Sequence, residues 1–322
     1  MMHAQTSAPK PQRGVVLIVA ILMVALIAGV ASSLGLGQQL WLRQTENLNE
    51  RAQAESLRRS ALGWIAMLLV REDKDKEKDH LGELWAQQLP PLPAEGGMIA
   101  VKIDDAQGLF NLNNLVRKDA PNTADIEAFR RLLQSLGLDP ALAEALIDWI
   151  DPDSDKRPGG AEDIDYLAQQ PPYRAANQPL TSIDELRLVR GFTPKVIETL
   201  RSHVTVLPEA VAINVNTASE TVLAALVPNT TASALQPLIQ HRKNHAFKNV
   251  DEFKQQLPPG IPAPTAMHGV KTGYFLVTIA IRSGRLESRS EALIARPDGK
   301  PATVIWHRLN PIVPKIKSDE KS

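Results

Sequence analysis

The sequence predicts an α+β fold: a long N-terminal helix, an antiparallel sheet, and a large all-α domain inserted into that sheet. Three observations carry this prediction. Val15 to Leu42 contains no charged residue, and apolar residues then recur at helical spacing to about Val70. Two separated regions alternate apolar and polar residues as strands do, one around Ile99, Val101 and Ile103 and the other from Phe275 to Leu309. Between them, from Asp119 to about His268, the pattern is helical. The early strands are too few to stand alone as a sheet, so they are expected to pair with the late ones.

The first element is the apolar run. Val15 to Leu34 is almost wholly aliphatic, and about twenty such residues match the length of a bilayer-spanning helix. Lys10 and Arg13 precede it, which keeps the leader cytoplasmic and sends the C-terminal bulk outside. Three processing fates fit. A cleaved secretory signal would use Val30-Ala31-Ser32, although the apolar run is long for one. A plain signal anchor would be left uncut. The third rests on Arg13-Gly14 standing directly before the helix, which resembles the type III leader of pilins and pseudopilins. That resemblance implies cleavage by prepilin peptidase between Gly14 and Val15. It also implies Glu at the fifth mature residue, which here is Val19. A carboxylate in a bilayer needs a partner, and the pilin Glu is thought to pair with a neighbour's terminal amine. A subunit with Val19 suits a filament end, where one neighbour is missing.

Trp41, Leu48, Ala52, Leu57, Ala61 and Leu68 extend the helical spacing past the bilayer, with Arg, Glu and Gln between them. One continuous helix and a span followed by a separate helix both fit. The expected organisation is a leader over 1–14, a transmembrane half over 15–42, and a second half with connector over 43–97. First strands follow over 98–118, then an inserted helical domain over 119–270. The remaining strands occupy 271–310, and a flexible tail 311–322 ends the chain.

Bulk composition narrows the function. The net charge of +0 argues against a general nucleic-acid surface. No cysteine is present, so no disulfide can staple an exported domain. Aromatic residues make up 4%, which implies an aliphatic core.

The most chemically specific stretch runs from Asp148 through Asp151, Asp153 and Asp155 to Glu162, Asp163 and Asp165. Asp151, Asp153, Asp155 and Glu162 stand at positions one, three, five and twelve of an EF-hand-like register. Position six is Lys156 where a sharp turn needs Gly; Gly159 and Gly160 come later. The expectation is therefore a calcium loop with its own geometry, holding one or two ions. Asp163 and Asp165 either complete that site or form a second. An alternating set of carboxylates suits a hard cation taking six to eight oxygens better than Mg²⁺, which keeps several waters.

With the leader and the strand–helix–strand order, three motifs resemble one family. They are Asp148-Trp149-Ile150-Asp151-Pro152-Asp153, Gly160-Ala161-Glu162-Asp163 and Pro172-Tyr173-Arg174-Ala175-Ala176-Asn177. Together they resemble general secretion pathway protein K, the large minor pseudopilin of type II secretion systems. The resemblance extends to about Leu309, and Val at the fifth mature position is the family's habit. It implies a pilin-like helix and sheet with a helical insertion that binds calcium. It also implies a bacterial inner-membrane anchor with the bulk in the periplasm, and a place at the pseudopilus tip. The implied partners are the I and J class minor pseudopilins, the major pseudopilin and prepilin peptidase.

Two other function classes fit the sequence less well. Ile213-Asn214-Val215-Asn216-Thr217-Ala218-Ser219 and Phe247-Lys248-Asn249-Val250-Asp251-Glu252-Phe253 resemble the helix-hairpin-helix DNA-binding modules of competence proteins. The alternative is thus a membrane-anchored protein of DNA uptake. Its hairpin, Val227-Pro228-Asn229-Thr230-Thr231, lacks the Gly that lets backbone amides cradle phosphate, so no nucleic acid is expected. The histidines are scattered and no nucleophile or phosphate-loop motif occurs, so no catalysis is expected.

Overall fold

One unbroken helix, α1, runs from Arg13 to Asp73, 61 residues and roughly 90 Å at helical rise. The computed structural model describes residues 13–73, 77–94, 97–284 and 286–309. Most of the leader and the tail beyond 309 lie outside these. The predicted cut between Gly14 and Val15 falls in the first turn of α1. Val16 to Gly35 is long and apolar enough to cross a membrane, and none of its described surface is buried.

The outer half of α1 lies on a five-stranded antiparallel sheet. Its strands are β1 (Leu92–Ala94), β2 (Gly97–Asp105), and, after the insertion, three more. In chain order the insertion contributes short strands β3 (Phe110–Asn111), β4 (Val116–Arg117), β5 (Ala120–Pro121), β6 (Val204–Thr205), β7 (Ile213–Asn214) and β8 (His268–Gly269). The main sheet then resumes with β9 (Tyr274–Ser283), β10 (Leu286–Ala295) and β11 (Thr303–Leu309) in the order β1-β2-β9-β10-β11. The register sets Ile103 beside Val277 and Val101 beside Ile279. Alternation then puts Phe275, Val277, Ile279 and Ile281 on one face, where Ala54, Ala61, Ile65 and Leu69 of α1 cover them. β1 was expected to be connector. Pro93 is tolerated there because β1 is an edge strand.

The insertion is helical: α2 (Thr123–Ser135), α3 (Leu142–Ile150), α4 (Asp163–Leu167), α5 (Pro194–Leu200), α6 (Glu220–Leu226), α7 (Gln236–Asn244) and α8 (Val250–Gln255). Asn122, Thr193, Ser219 and Asn249 cap α2, α5, α6 and α8 through their side-chain oxygens. The hairpin expected at Val227–Thr231 turns at Asn229, which is left-handed (φ 54°), and the chain turns again after Asn244. One expectation needs correction. The boundary expected after residue 118 lies earlier. The sheet ends at Asp105, and Phe110, Leu112 and Leu115 pack in the insertion's core with Phe129, Leu132 and Leu146.

The two cores meet at a buried polar joint. Asp105 Oδ2 accepts from Asn214 Nδ2 (2.9 Å), Thr217 Oγ1 (2.6 Å) and Thr272 Oγ1 (2.5 Å). Asp79, just past α1, accepts from Arg296 Nη2 at 2.7 Å and from the Thr272 amide at 2.8 Å. Burial pushes the Asp105 carboxyl up to about 6 despite its donors.

Candidate metal centre

The acidic loop leaves the C-terminus of α3, a helix buried from Ala143 to Ile150. That burial fixes where the loop starts. Asp148 is fully buried, one turn before Asp151, which ends the helix by donating its amide to Ile147 O (2.8 Å). The chain returns through Gly160 and starts α4 at Asp163 behind Glu162. A Cβ on Gly160 would collide with Asp148 Oδ2, so glycine lets the loop close on that carboxylate.

Asp151, Asp153 and Glu162 each offer a carboxylate oxygen within 4.8 Å of the others. Asp148 Oδ1, Asp151 Oδ1, both oxygens of Glu162 and the Asn177 Oδ1 are buried without a hydrogen-bond donor. All five are acceptors. Burial, then mutual repulsion, pushes Asp151 up to about 6 and Glu162 up to about 7. Burial likewise pushes Asp148 up to about 6. Buried acceptors left without donors are costly, and a hard divalent cation is the partner that suits an all-oxygen set.

The side chains of the loop's own cations make their bonds elsewhere, although the Arg157 charge partly offsets Asp148 and Asp151. Lys156 Nζ bonds Asp165 at 2.8 Å, and Arg190 lies 3.5 Å from the same carboxylate. Arg174 Nη1 and the Ala175 amide both bond Asp163 at 3.0 Å. Arg157 and Arg130 hold Glu144, whose carboxyl burial would raise but these two keep low. Of the six carboxylates expected as ligands, the structure gathers Asp151, Asp153 and Glu162. It gives Asp163 and Asp165 to basic side chains. Asp155 is exposed, and its amide donates to Asp153 Oδ1 at 2.8 Å. Two members were missing from the expected set. Asp148 lies three residues before Asp151 on the same helical face, a spacing visible in the sequence. Asn177 is held left-handed (φ 45°), with its Nδ2 on Asp153 O at 3.0 Å; only the fold brings it back across the loop. Behind the cluster Trp149 packs edge-on to Tyr166 with ring centres 5.1 Å apart.

The helix-hairpin-helix-like segment gives no comparable site. Arg242 is turned inward onto Val215 O (2.7 Å) and Ala218 O (2.6 Å), and the His241 ring stacks on Phe247.

Residues 108–209 and 213–271 match two models, both described as type II secretion system protein K. The type II secretion system protein K of Pseudomonas aeruginosa is 35% identical over 90% of both chains. The chain belongs to the type II secretion system protein K family. The Aeromonas hydrophila protein K is 32% identical, covering 93% of this chain and 97% of its own. The fold of this family member is also that of a solved chain from the GspK–GspI–GspJ complex of enterotoxigenic Escherichia coli. That match has a TM-score of 0.74 at 29% identity and covers 83% of this chain and 99% of the other. Long helix, sheet and helical insertion are therefore the protein K arrangement, a component of a secretion machine.

Proposed function

We propose that this protein K is anchored in the inner membrane by α1, with its bulk in the periplasm, and caps the pseudopilus tip together with I and J class minor pseudopilins. In that place it supports pseudopilus assembly and protein export across the outer membrane, without catalysis. The observation that carries the reading is where the insertion sits. Within six residues of the end of α1, Lys78 Nζ reaches Ala246 O (2.7 Å) and the Asp79 amide reaches Val270 O (2.8 Å). The helical domain thus crowns the end of α1 farthest from the apolar segment, where a further subunit would stack. Val19, lacking the filament carboxylate, agrees with a terminal place, and prepilin peptidase would release the leader after Gly14.

An apolar groove of about 320 Å³ along α1 supports partnership with other helices; Leu57, Ala61, Trp64, Leu92, Ile99 and Val101 line it. Calcium fits the acidic loop: Asp151, Asp153 and Glu162 would hold it, with Asp148 and Asn177 beside them. Co-expression with the I and J class subunits tests the proposal. A stable ternary complex, and accumulation of uncut precursor in Gly14→Ala, are expected. Normal cutting of that variant, or failure of the subunits to co-purify, would sink it.

A further inference from the structure

The helical insertion is seated on the sheet at two places of opposite character. One is apolar. Leu207 and Val211 pack with Tyr274, Leu276, Leu293 and Trp306, on the sheet face turned away from α1. Glu209, on the same segment, accepts from the Tyr274 hydroxyl at 2.6 Å. The other is the buried polar joint, where both chain crossings between sheet and insertion meet. Asp105 and Gln107 belong to the outgoing crossing after β2, Thr272 and Gly273 to the returning one before β9. Gln107 ties them together: its Oε1 accepts from the Gly273 amide at 2.6 Å, and its Nε2 donates to Ala212 O at 2.8 Å.

At the centre of the joint a carboxylate meets only neutral donors. Asn214, Thr217 and Thr272 donate to Asp105 Oδ2, and the Gln107 amide donates to its Oδ1 at 2.7 Å. The charged groups packed against the joint are Asp79 and Arg296. They bind each other and the Thr272 backbone, Asp79 at its amide and Arg296 at its carbonyl. Lys271, in the returning crossing, is exposed. Among the described residues no cation bonds Asp105.

The geometry can take one proton without losing a hydrogen bond. Two of the three donors on Oδ2 are hydroxyls, which donate or accept as they rotate. Thr217 Oγ1 stands 2.6 Å from Asp105 Oδ2 and 3.3 Å from Asn214 O. It can turn its proton to that carbonyl and accept from a neutral Asp105. The ionised carboxylate is instead buried without a counter-charge, and burial is what raises it. Opening the joint hydrates Asp105 and removes that cost, so protonation favours the closed joint and ionisation the open one. We propose that this joint is a pH-dependent seat for the insertion: a proton held among Asp105, Thr217 and Thr272 fixes the insertion on the sheet, and its loss lets the joint open and the insertion pivot on its apolar contact.

The Gln107, Thr272 and Gly273 amides close the joint and report its opening. In the full-length, detergent-solubilised chain their hydrogen exchange, corrected for the intrinsic effect of pH, is expected to be roughly tenfold faster at pH 8 than at pH 5. The Leu133 amide in α2 and the Ile279 amide in β9 should keep their protection. The chain has no cysteine, so Arg59→Cys with Glu198→Cys places one spin label on α1 and one on the insertion. The distance distribution between them should broaden from pH 5 to pH 8. In Asp105→Asn both responses should vanish. In Thr217→Val, which removes a donor from the ionised form, the midpoint of the exchange response should move to higher pH. Exchange that quickens equally in the joint and both cores overturns the proposal, as does a distance distribution indifferent to pH or a response that persists in Asp105→Asn. Should Asp105→Asn not fold, a midpoint that stays in place in Thr217→Val overturns it as well.

Discussion

Gly160 has no room for a side chain because the Asp148 carboxylate occupies it. Gly160→Ala must push that carboxylate aside, so we expect a loss of about 1–3 kcal/mol and a smaller calcium-induced rise in melting temperature. Differential scanning calorimetry with and without calcium measures both. Asp105 makes a different prediction. Its folded carboxyl is raised above the unfolded value, so its contribution to stability is present below about pH 4 and lost as pH rises through about 6. Relative to Asp105→Asn, the wild type should therefore gain stability as pH falls from 7 to 4, by roughly 2–3 kcal/mol. Urea melts at several pH values report this, and a constant gap between the two proteins would contradict it. Neither consequence is readable from composition. Gly160 resembles any loop glycine and Asp105 any strand-end carboxylate until the fold brings their neighbours in.

The elements were the most legible level. Helical spacing left a continuous and a divided helix open, and α1 is continuous; the strand region expected to end at Leu309 does so in β11. The errors were local. Leu92–Ala94 is a strand only because β2 lies beside it, and no alternation marks so short a segment. Ile183–Leu188 is a 3₁₀ turn despite its apolar stripe, held by Ser182 and Glu185. Since α1 meets the sheet through its outer half, Ile65→Ala should cost about 2–4 kcal/mol in denaturant unfolding. The calcium shift should be unchanged, because Ile65 packs in the sheet's core and the loop in the insertion's. Loss of both together would show that the two cores report on each other through the Asp105 and Asp79 joint.

Across the whole molecule, charge is divided between neutralised and uncompensated carboxylates. Asp163 and Asp165 have basic partners, whereas Asp151, Asp153 and Glu162 face one another with none among the described residues. Chelator should lower the melting temperature; an ion at a hundred times its Kd contributes about 2.7 kcal/mol by mass action. Asp151→Asn should remove most of that increment and Asp163→Asn little of it. Equal losses from the two would place the ion elsewhere in the loop.

The sequence by itself determined the long apolar-then-amphipathic helix, the alternating strands, the helical block between them, the acidic loop and the family it resembles. These follow from periodicity and residue chemistry, which act between near neighbours in the chain. Tertiary structure alone decided which carboxylates converge, that Asn177 returns to them, and that the insertion starts just after Asp105. Each depends on contacts between residues tens of positions apart, and whether a carboxylate meets an arginine or another carboxylate is settled only when the chain has folded.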